Sequence, residues 1–401
     1  MNVGLSTSVI QRGRSGVAQY VFALLRALVP YAARHRFTLF VLKEDLPLFA
    51  FVESKMKLVP VPERFRPPVK NILWHQMVLP RLARQHQLEV LHVPSYRRML
   101  WPRPCALVAT IHDLAPFRLA NKYEPKRMFY GRVVARRLAR RQDEIITVSQ
   151  STGRDIVEFF RLPAERLTMI YNGLDQDRFF PGCPKQARAF VAERHGLCQP
   201  FFLYVARLEH PAKNHVRLID AFNRFKAETH CDWHLVLGGS DWHGAEVVHA
   251  FIRQSPFQRD IHCLGFVPEP DLPNWYRAAE VFVYPSLFEG FGLPPIEAMA
   301  CGCPVISSSR GSLGEVTGDA AAVVDPEDVQ SLTQQMKRLA ADSGLRDRLR
   351  EAGLKRAQGF NWGKTAAATM NVYSRAATRS APRRRTGESP PRGSGAFTHL
   401  P

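Results

Sequence analysis

Short, nearly unbroken apolar runs alternate with amphipathic stretches over most of this chain. That alternation limits the fold more than any other feature. The runs include F-T-L-F-V-L, E-V-L-H-V, A-L-V-A-T-I-H, E-I-I-T-V-S, F-F-L-Y-V-A, H-L-V-L-G-G, V-F-V-Y-P and P-V-I-S-S, with helical patterns such as Val17–Val29 and Val216–Glu228 between them. A strand that is apolar on both faces must be covered on both faces. Helical crossovers do this in a parallel sheet. The pattern pauses at F-F-P-G-C-P-K-Q, residues 179–186, and resumes with a strand at Phe201. In a chain of 401 residues this predicts two doubly wound α/β domains, 1–185 and 186–374. Residues 375–401, rich in Arg, Pro, Gly and Ser, read as a disordered basic tail. Ligands of such sheets lie beyond the carboxyl ends of the strands, so the expected site is the cleft between the two domains.

The segment F-E-G-F-G-L-P-P-I-E-A-M-A-C-G, residues 288–302, follows one such strand. Pro295 suits the first position of a helix and Gly302 its end. Glu289 then falls on the strand-to-helix loop and Glu297 in the first helical turn. The glycines allow close backbone approach and leave N–H groups for a ligand, and a helix N-terminus favours a phosphate or a polar sugar edge. Two carboxylates there would accept from two sets of hydroxyls. Taken singly, Glu289 could cap a turn and Glu297 could answer the helix dipole.

The segment resembles the E-x7-E signature of the retaining glycosyltransferases of family 4. The segments Y-V-A-R-L-E-H-P-A-K-N-H (204–215), T-V-S-Q-S-T, Y-N-G-L-D, G-F-V (265–267), R-G-R-S-G-V-A-Q-Y (12–20) and T-I-H-D-L (110–114) extend the likeness over about residues 1–373. The resemblance implies a GT-B fold, an α/β architecture of two Rossmann-like domains facing a cleft, with the acceptor on the N-terminal side and a nucleotide sugar on the C-terminal side. It places Arg207 and Lys213 on the diphosphate, a bidentate fork and a point charge. Glu289 would hold the transferred sugar with the backbone N–H groups of Phe291, Gly292 and Leu293, and Glu297 the ribose. Main-chain atoms of Gly265, Phe266 and Val267 would read the base. Gly16, in the first loop, would let the N-terminal domain approach the phosphate. His112, beyond a strand end, would meet donor sugar or acceptor, while Asp113 caps the loop. Ala206 and Ala212 depart from the Gly and Arg common at these places.

The expected reaction is metal-independent transfer of a hexose with retention, with no cofactor beyond the substrate. The segments 12–20 and G-S-L-G-E-V (311–316) point toward mannose from GDP-mannose, with Glu315 as a further candidate. The acceptor would be a saccharide or lipid-linked saccharide in cell-surface polysaccharide or glycolipid assembly. Asp175-Gln176-Asp177 reads as a turn rather than a metal motif, and His230 and His234 flank a helix end and a strand start.

The formal net charge of +19 asks for an anionic partner. In residues 126–141 Arg132, Arg136 and Arg140 share a helical face, with Phe129, Val133 and Leu138 on another, as in a helix lying on an anionic membrane surface or in an ordinary solvated helix face. Seven scattered cysteines read as reduced thiols. Neither a signal peptide nor a run of about 18 apolar residues is read, so the expectation is a cytoplasmic chain that meets a membrane only at its inner surface. The rival readings are a basic nucleic-acid-binding module, which lacks its motifs and is not expected, and a GT-B-like phosphorylase. A dinucleotide oxidoreductase would need a G-x-G-x-x-G after the first strand.

Overall fold

The computed structural model describes residues 1–13, 15–118 and 129–380. The first sheet comprises β1 (Asn2–Ser6), β2 (Arg36–Leu42), β3 (Lys57–Val61), β4 (Val90–Val93), β5 (Ala106–Ile111), β6 (Glu144–Thr147) and β7 (Leu167–Met169). Its seven strands run in the order 3-2-1-4-5-6-7. The second comprises β8 (Phe201–Val205), β9 (His234–Gly238), β10 (Ile261–Gly265), β11 (Val281–Tyr284), β12 (Val305–Ser308) and β13 (Ala321–Val324), in the order 10-9-8-11-12-13. All pairs are parallel. The strand order reverses between β1 and β4 and between β8 and β11, and those two points open the crevices where a doubly wound sheet takes its ligand.

Helix Gly16–Leu28 begins at Ser15, whose hydroxyl accepts from the Ala18 N–H at 3.1 Å. It buries Ala18, Tyr20, Val21, Leu24, Leu25 and Leu28 in the first core. Against the expectation of no spanning run, Gly16–Ala33 is long and apolar enough to cross a membrane by length and composition. Here its apolar face packs inside the first domain, against the sheet and helix Trp362–Ser380.

That last helix departs from the expected division. Ala366, Met370, Val372, Tyr373 and Ala376 belong to the core of the first sheet, not the second. The chain therefore returns to its N-terminal domain after β13, because this helix supplies the apolar cover the first sheet needs. Residues 375–380, expected to be disordered, are its last turns; residues 381–401 lie outside the described residues. Helix Pro184–His195 packs on the second core through Ala187 and Val191.

Candidate functional site

The loops after β8 and β11 flank the switch point of the second sheet and are laced together. The Ala212 carbonyl accepts from the Leu287 N–H (3.0 Å) and from Ser286 Oγ (3.3 Å). Tyr204 OH donates to the Lys213 carbonyl at 2.6 Å. Asn214, at φ +62°, donates to the carbonyls of Pro285 and Pro326 and so pins the start of helix His215–Thr229. This framework brings Lys213 Nζ to 2.5 Å from Glu289 Oε1. The same oxygen accepts from Ser286 Oγ at 2.6 Å and Tyr284 OH at 3.1 Å. Both side chains are 16% exposed. A carboxylate and an ammonium are thus held, mostly out of water, at the mouth of the crevice.

Glu297 lies one turn deeper than expected. Gly292, at φ +94°, starts the helix at Leu293, so Pro295 is its third residue and Glu297 its fifth. Only glycine turns the chain cheaply at that φ, and a Cβ there would also strike Leu313 at 2.4 Å. Glu297 Oε2 accepts from Tyr276 OH at 2.9 Å. Burial pushes its carboxyl up to about 7, against the lowering effects of that bond and of the Arg178 charge. The Phe291 side chain is buried against Tyr171 and Phe360. Among the described residues the N–H groups of Phe291, Gly292 and Leu293 find no acceptor.

Arg207 stands apart from the Lys213–Glu289 pair. Its guanidinium lies 4.7 Å over the Trp242 ring and 3.4 Å from Glu209 Oε2. Nearby, Gly239 donates its N–H to the Gly265 carbonyl at 2.7 Å, and a Cβ on Gly239 would sit 1.9 Å from the Ala206 carbonyl oxygen. The ends of β8, β9 and β10 therefore converge. From that rim Phe266 projects at 70% exposure.

The N-terminal domain meets this site at His112. A Cβ on Gly290 would lie 2.0 Å from the His112 carbonyl oxygen. Thr152 Oγ1 donates to that carbonyl at 3.2 Å, so the end of β5 and the Glu289 loop touch. Burial lowers the His112 imidazole to about 4, opposed by Asp113, so it is neutral at pH 7. Its Nε2 makes no hydrogen bond among the described residues. The edge of Tyr20 supports the ring at 4.6 Å between centroids. Behind Tyr20 runs a buried chain of hydrogen bonds: Tyr20 to Thr110 (3.2 Å), Thr110 to His92 (2.8 Å), His92 to Tyr373 (2.8 Å). Asp113 caps its loop through the Ala115 N–H (3.0 Å).

Other expectations shift. Gly16 is not in the first loop but opens the helix, with open space at its Cβ position. The left-handed glycine of that loop is Gly13, at φ +80°. Glu315 reaches across the cleft: its two oxygens accept from the N–H groups of Gln150 (2.7 Å) and Ser151 (2.9 Å), at the start of helix Gln150–Asp155. It clasps the domains rather than facing the Lys213–Glu289 pair. Gln19 Nε2 donates to Glu269 Oε1 (2.8 Å) as a second bridge. Asp175 caps its own turn through the Arg178 N–H, and His234 pairs with His262. Among the described residues no three His, Cys, Asp or Glu side chains gather closely enough to hold a metal ion. Tyr284, Ser286, Tyr276 and Thr152 were missed. Only Y-P-S ahead of Glu289 could have signalled two of them.

Residues 186–356 match the family model described as "Glycosyl transferases group 1", and residues 14–178 match "Glycosyltransferase Family 4". The chain is 32% identical over 266 residues to O-antigen chain mannosyltransferase B of Escherichia coli, covering 66% of this chain and 69% of that one. It is 30% identical over 277 residues to the serotype-specific mannosyltransferase WbdA of Escherichia coli, covering 68% of this chain but only 34% of that longer one. Among solved structures, Anabaena Alr3699/HepE in complex with UDP-glucose superposes with a TM-score of 0.73 at 18% identity, over 93% of this chain and 100% of that one.

Proposed function

The chain belongs to the group 1, family 4 glycosyltransferases and has their GT-B fold, and from that premise we propose that it moves mannose from GDP-mannose to a saccharide or lipid-linked acceptor, with retention and without a metal. The observation that carries this reading is the contact of the Glu289 loop with the His112 strand end, which brings Lys213 and Glu289 to the boundary between donor and acceptor domains. The relatives named as mannosyltransferases support the sugar, and the UDP-glucose complex of a structural neighbour supports a nucleotide-sugar donor. Work on surface polysaccharide at the cytoplasmic face of the membrane fits the O-antigen relative and is part of the same proposal.

In this mechanism Lys213 turns from Glu289 to the diphosphate, and Arg207 swings off Glu209 to join it. The unpartnered N–H groups of residues 291–293 receive oxygens of the donor. Glu289, released from Lys213, accepts from sugar hydroxyls, and Glu297 accepts from the ribose. The bond from the anomeric carbon to the β-phosphate oxygen breaks. An acceptor hydroxyl bonds to that carbon on the same face, and its proton passes to the departing phosphate. The leaving charge falls on side chains and backbone dipoles already oriented for it. Neutral His112 lies at the acceptor edge. Proton NMR of the first-formed product from α-linked donor should give an α-glycoside. A β-glycoside would contradict the retaining mechanism.

The raised carboxyl of Glu297 gives this reading a pH signature. Below about 7 the group is mostly neutral; above it, the carboxylate can accept from two hydroxyls. Donor affinity should therefore rise by about tenfold between about pH 6 and pH 8, with a proton released on binding at the acid end. For folding the sign is opposite: a raised carboxyl contributes stability below the ordinary carboxylate range that is lost as pH rises through about 7. Calorimetry in buffers of differing ionisation enthalpy should register the proton, and Glu297→Gln should flatten the binding profile. A wild-type affinity independent of pH would rule out Glu297 as the ribose acceptor.

A further inference from the structure

The first three strands begin at the edge of the sheet opposite the cleft, and there they form a basic hollow. The register pairs Asn2 of β1 with Arg36 of β2, and Thr38 of β2 with Lys57 of β3. Paired residues of parallel strands point the same way, and alternate residues share a face, so these four side chains stand on one face of the sheet. His86, just past helix Leu79–Gln85, covers that face: its carbonyl accepts from Asn2 Nδ2 at 2.7 Å, and its ring lies 6.1 Å from that of Phe40. Together with His35 and Lys55 they line a cavity of about 300 Å³.

The charge in this cavity is of one sign. Arg36, Lys55 and Lys57 line it with the two imidazoles, and no carboxylate does. Among the described residues none of the three cations pairs with an Asp or Glu. Glu89, the acidic residue at this edge, takes the Asn2 N–H instead, at 2.6 Å. Lys57 Nζ donates to His86 Nδ1 at 3.4 Å, so the neutral ring carries its proton on Nε2 and keeps a donor there. Burial and then the Lys57 charge lower that imidazole below its ordinary value. Thr38, 4% exposed, adds a hydroxyl. Like charges gathered around one hollow repel each other, and an anion placed among them reverses the sign of that interaction. The basic residues at 129–140 differ, because they lie on a helix surface: Arg132 and Arg140 are exposed and Arg136 half-buried, with Leu138 buried and Val133 half-buried; Lys126–Met128 lie outside the described residues.

We propose that this hollow binds a soluble phosphorylated small molecule of about the size of a sugar phosphate. A phosphate ester brings more than one negative charge and three acceptor oxygens. Arg36 offers a fork to two of those oxygens, and Lys55 and Lys57 offer point charges. His86 Nε2 and the Thr38 hydroxyl are left for the rest of the ligand. The cavity stands at the lower end of the range for small-molecule sites, which sets the size of the occupant. The seven residues of β2 separate the hollow from the cleft by roughly 20 Å. It is thus a second site, and the inference does not depend on the donor assigned to the Lys213–Glu289 cleft. A ligand held there ties the starts of three strands to the end of a helix, so it stabilises the fold.

The test is calorimetric titration of the full chain with glucose 6-phosphate, with glucose as the neutral control. It is repeated on Arg36→Glu/Lys57→Glu, on the milder Lys57→Gln, and on Lys213→Ala in the cleft. Wild type should bind the phosphate ester and not glucose, and its melting temperature should rise with the ligand. The double variant should bind at least about tenfold more weakly and Lys57→Gln about fivefold, as expected for losing charged hydrogen-bond donors, with unchanged circular dichroism spectra. Lys213→Ala should bind like wild type. Absence of binding to wild type, or equal binding by wild type and both hollow variants, would overturn the proposal. So would binding that Lys213→Ala abolishes, since the ligand would then occupy the cleft.

Discussion

Lys213→Ala is expected to lower kcat/KM by about 10²- to 10³-fold, the size of effect seen when one preoriented donor to a developing negative charge is removed. The lysine has no other evident task. Its carbonyl holds Tyr204 and its neighbour Asn214 pins the helix, while the ammonium pairs with Glu289 and lies 6.0 Å from the Tyr284 ring centroid. A substitution that keeps the backbone keeps those bonds. Removing the cation takes a charged partner from Glu289, to which the Ser286 and Tyr284 hydroxyls still donate, so some stability is lost as well. A melting curve beside the kinetics separates the two effects. Arg207→Ala should cost less, because Arg207 is 44% exposed and must leave Glu209 and Trp242 before it can reach a phosphate. A Lys213→Ala enzyme within tenfold of wild type would remove the lysine from the chemistry.

Gly290→Ala should cost about 10²-fold in kcat while leaving nucleotide affinity nearly intact. The added Cβ would sit 2.0 Å from the His112 carbonyl oxygen and 2.8 Å from Asp113 Cβ. The first obstacle is backbone, which cannot rotate away. The Glu289 loop must instead withdraw from the end of β5, and a displacement of about an ångström between reacting groups is enough for a loss of that order. Lys213, Glu297 and the rim at Gly265 all belong to the second domain, so the nucleotide should still find its contacts. Single-turnover kinetics with a donor titration would show the split. Equal losses in kcat and affinity would mean that the loop acts by holding the donor instead.

The strands legible in the sequence are those whose apolar runs are unbroken, from F-T-L-F-V-L in β2 to P-V-I-S-S in β12. β1 escaped because Gly4 interrupts it. A Cβ there would meet Leu88 at 2.3 Å, so packing against the next layer, not local propensity, sets that residue. β3 carries Pro60 and survives as an edge strand, where a missing N–H does least harm. Helix Trp362–Ser380 was not singled out in the sequence, where its last residues read as part of the disordered tail, and nothing local to a helix says which core it covers. Of the residues the resemblance put together, the structure pairs Glu289 with Lys213 and holds Arg207 on Glu209 and Trp242. Other partners were not legible in the sequence: Tyr276 reaches Glu297 from another helix, and Gly290 meets His112 from the other domain. Glu315 reads in the sequence as a donor-side candidate or a helix support; the helix it caps lies across the cleft, which depends on where helix Gln150–Asp155 begins.

The most direct test of a nucleotide-sugar site in this cleft is calorimetric titration of the metal-free protein with GDP, UDP, GDP-mannose and UDP-glucose, repeated on Glu297→Ala. The account predicts that the guanine series binds wild type and binds the variant about tenfold more weakly, as expected for loss of a buried acceptor to paired hydroxyls. Binding of none of the four, or binding that the substitution leaves unchanged, would contradict it.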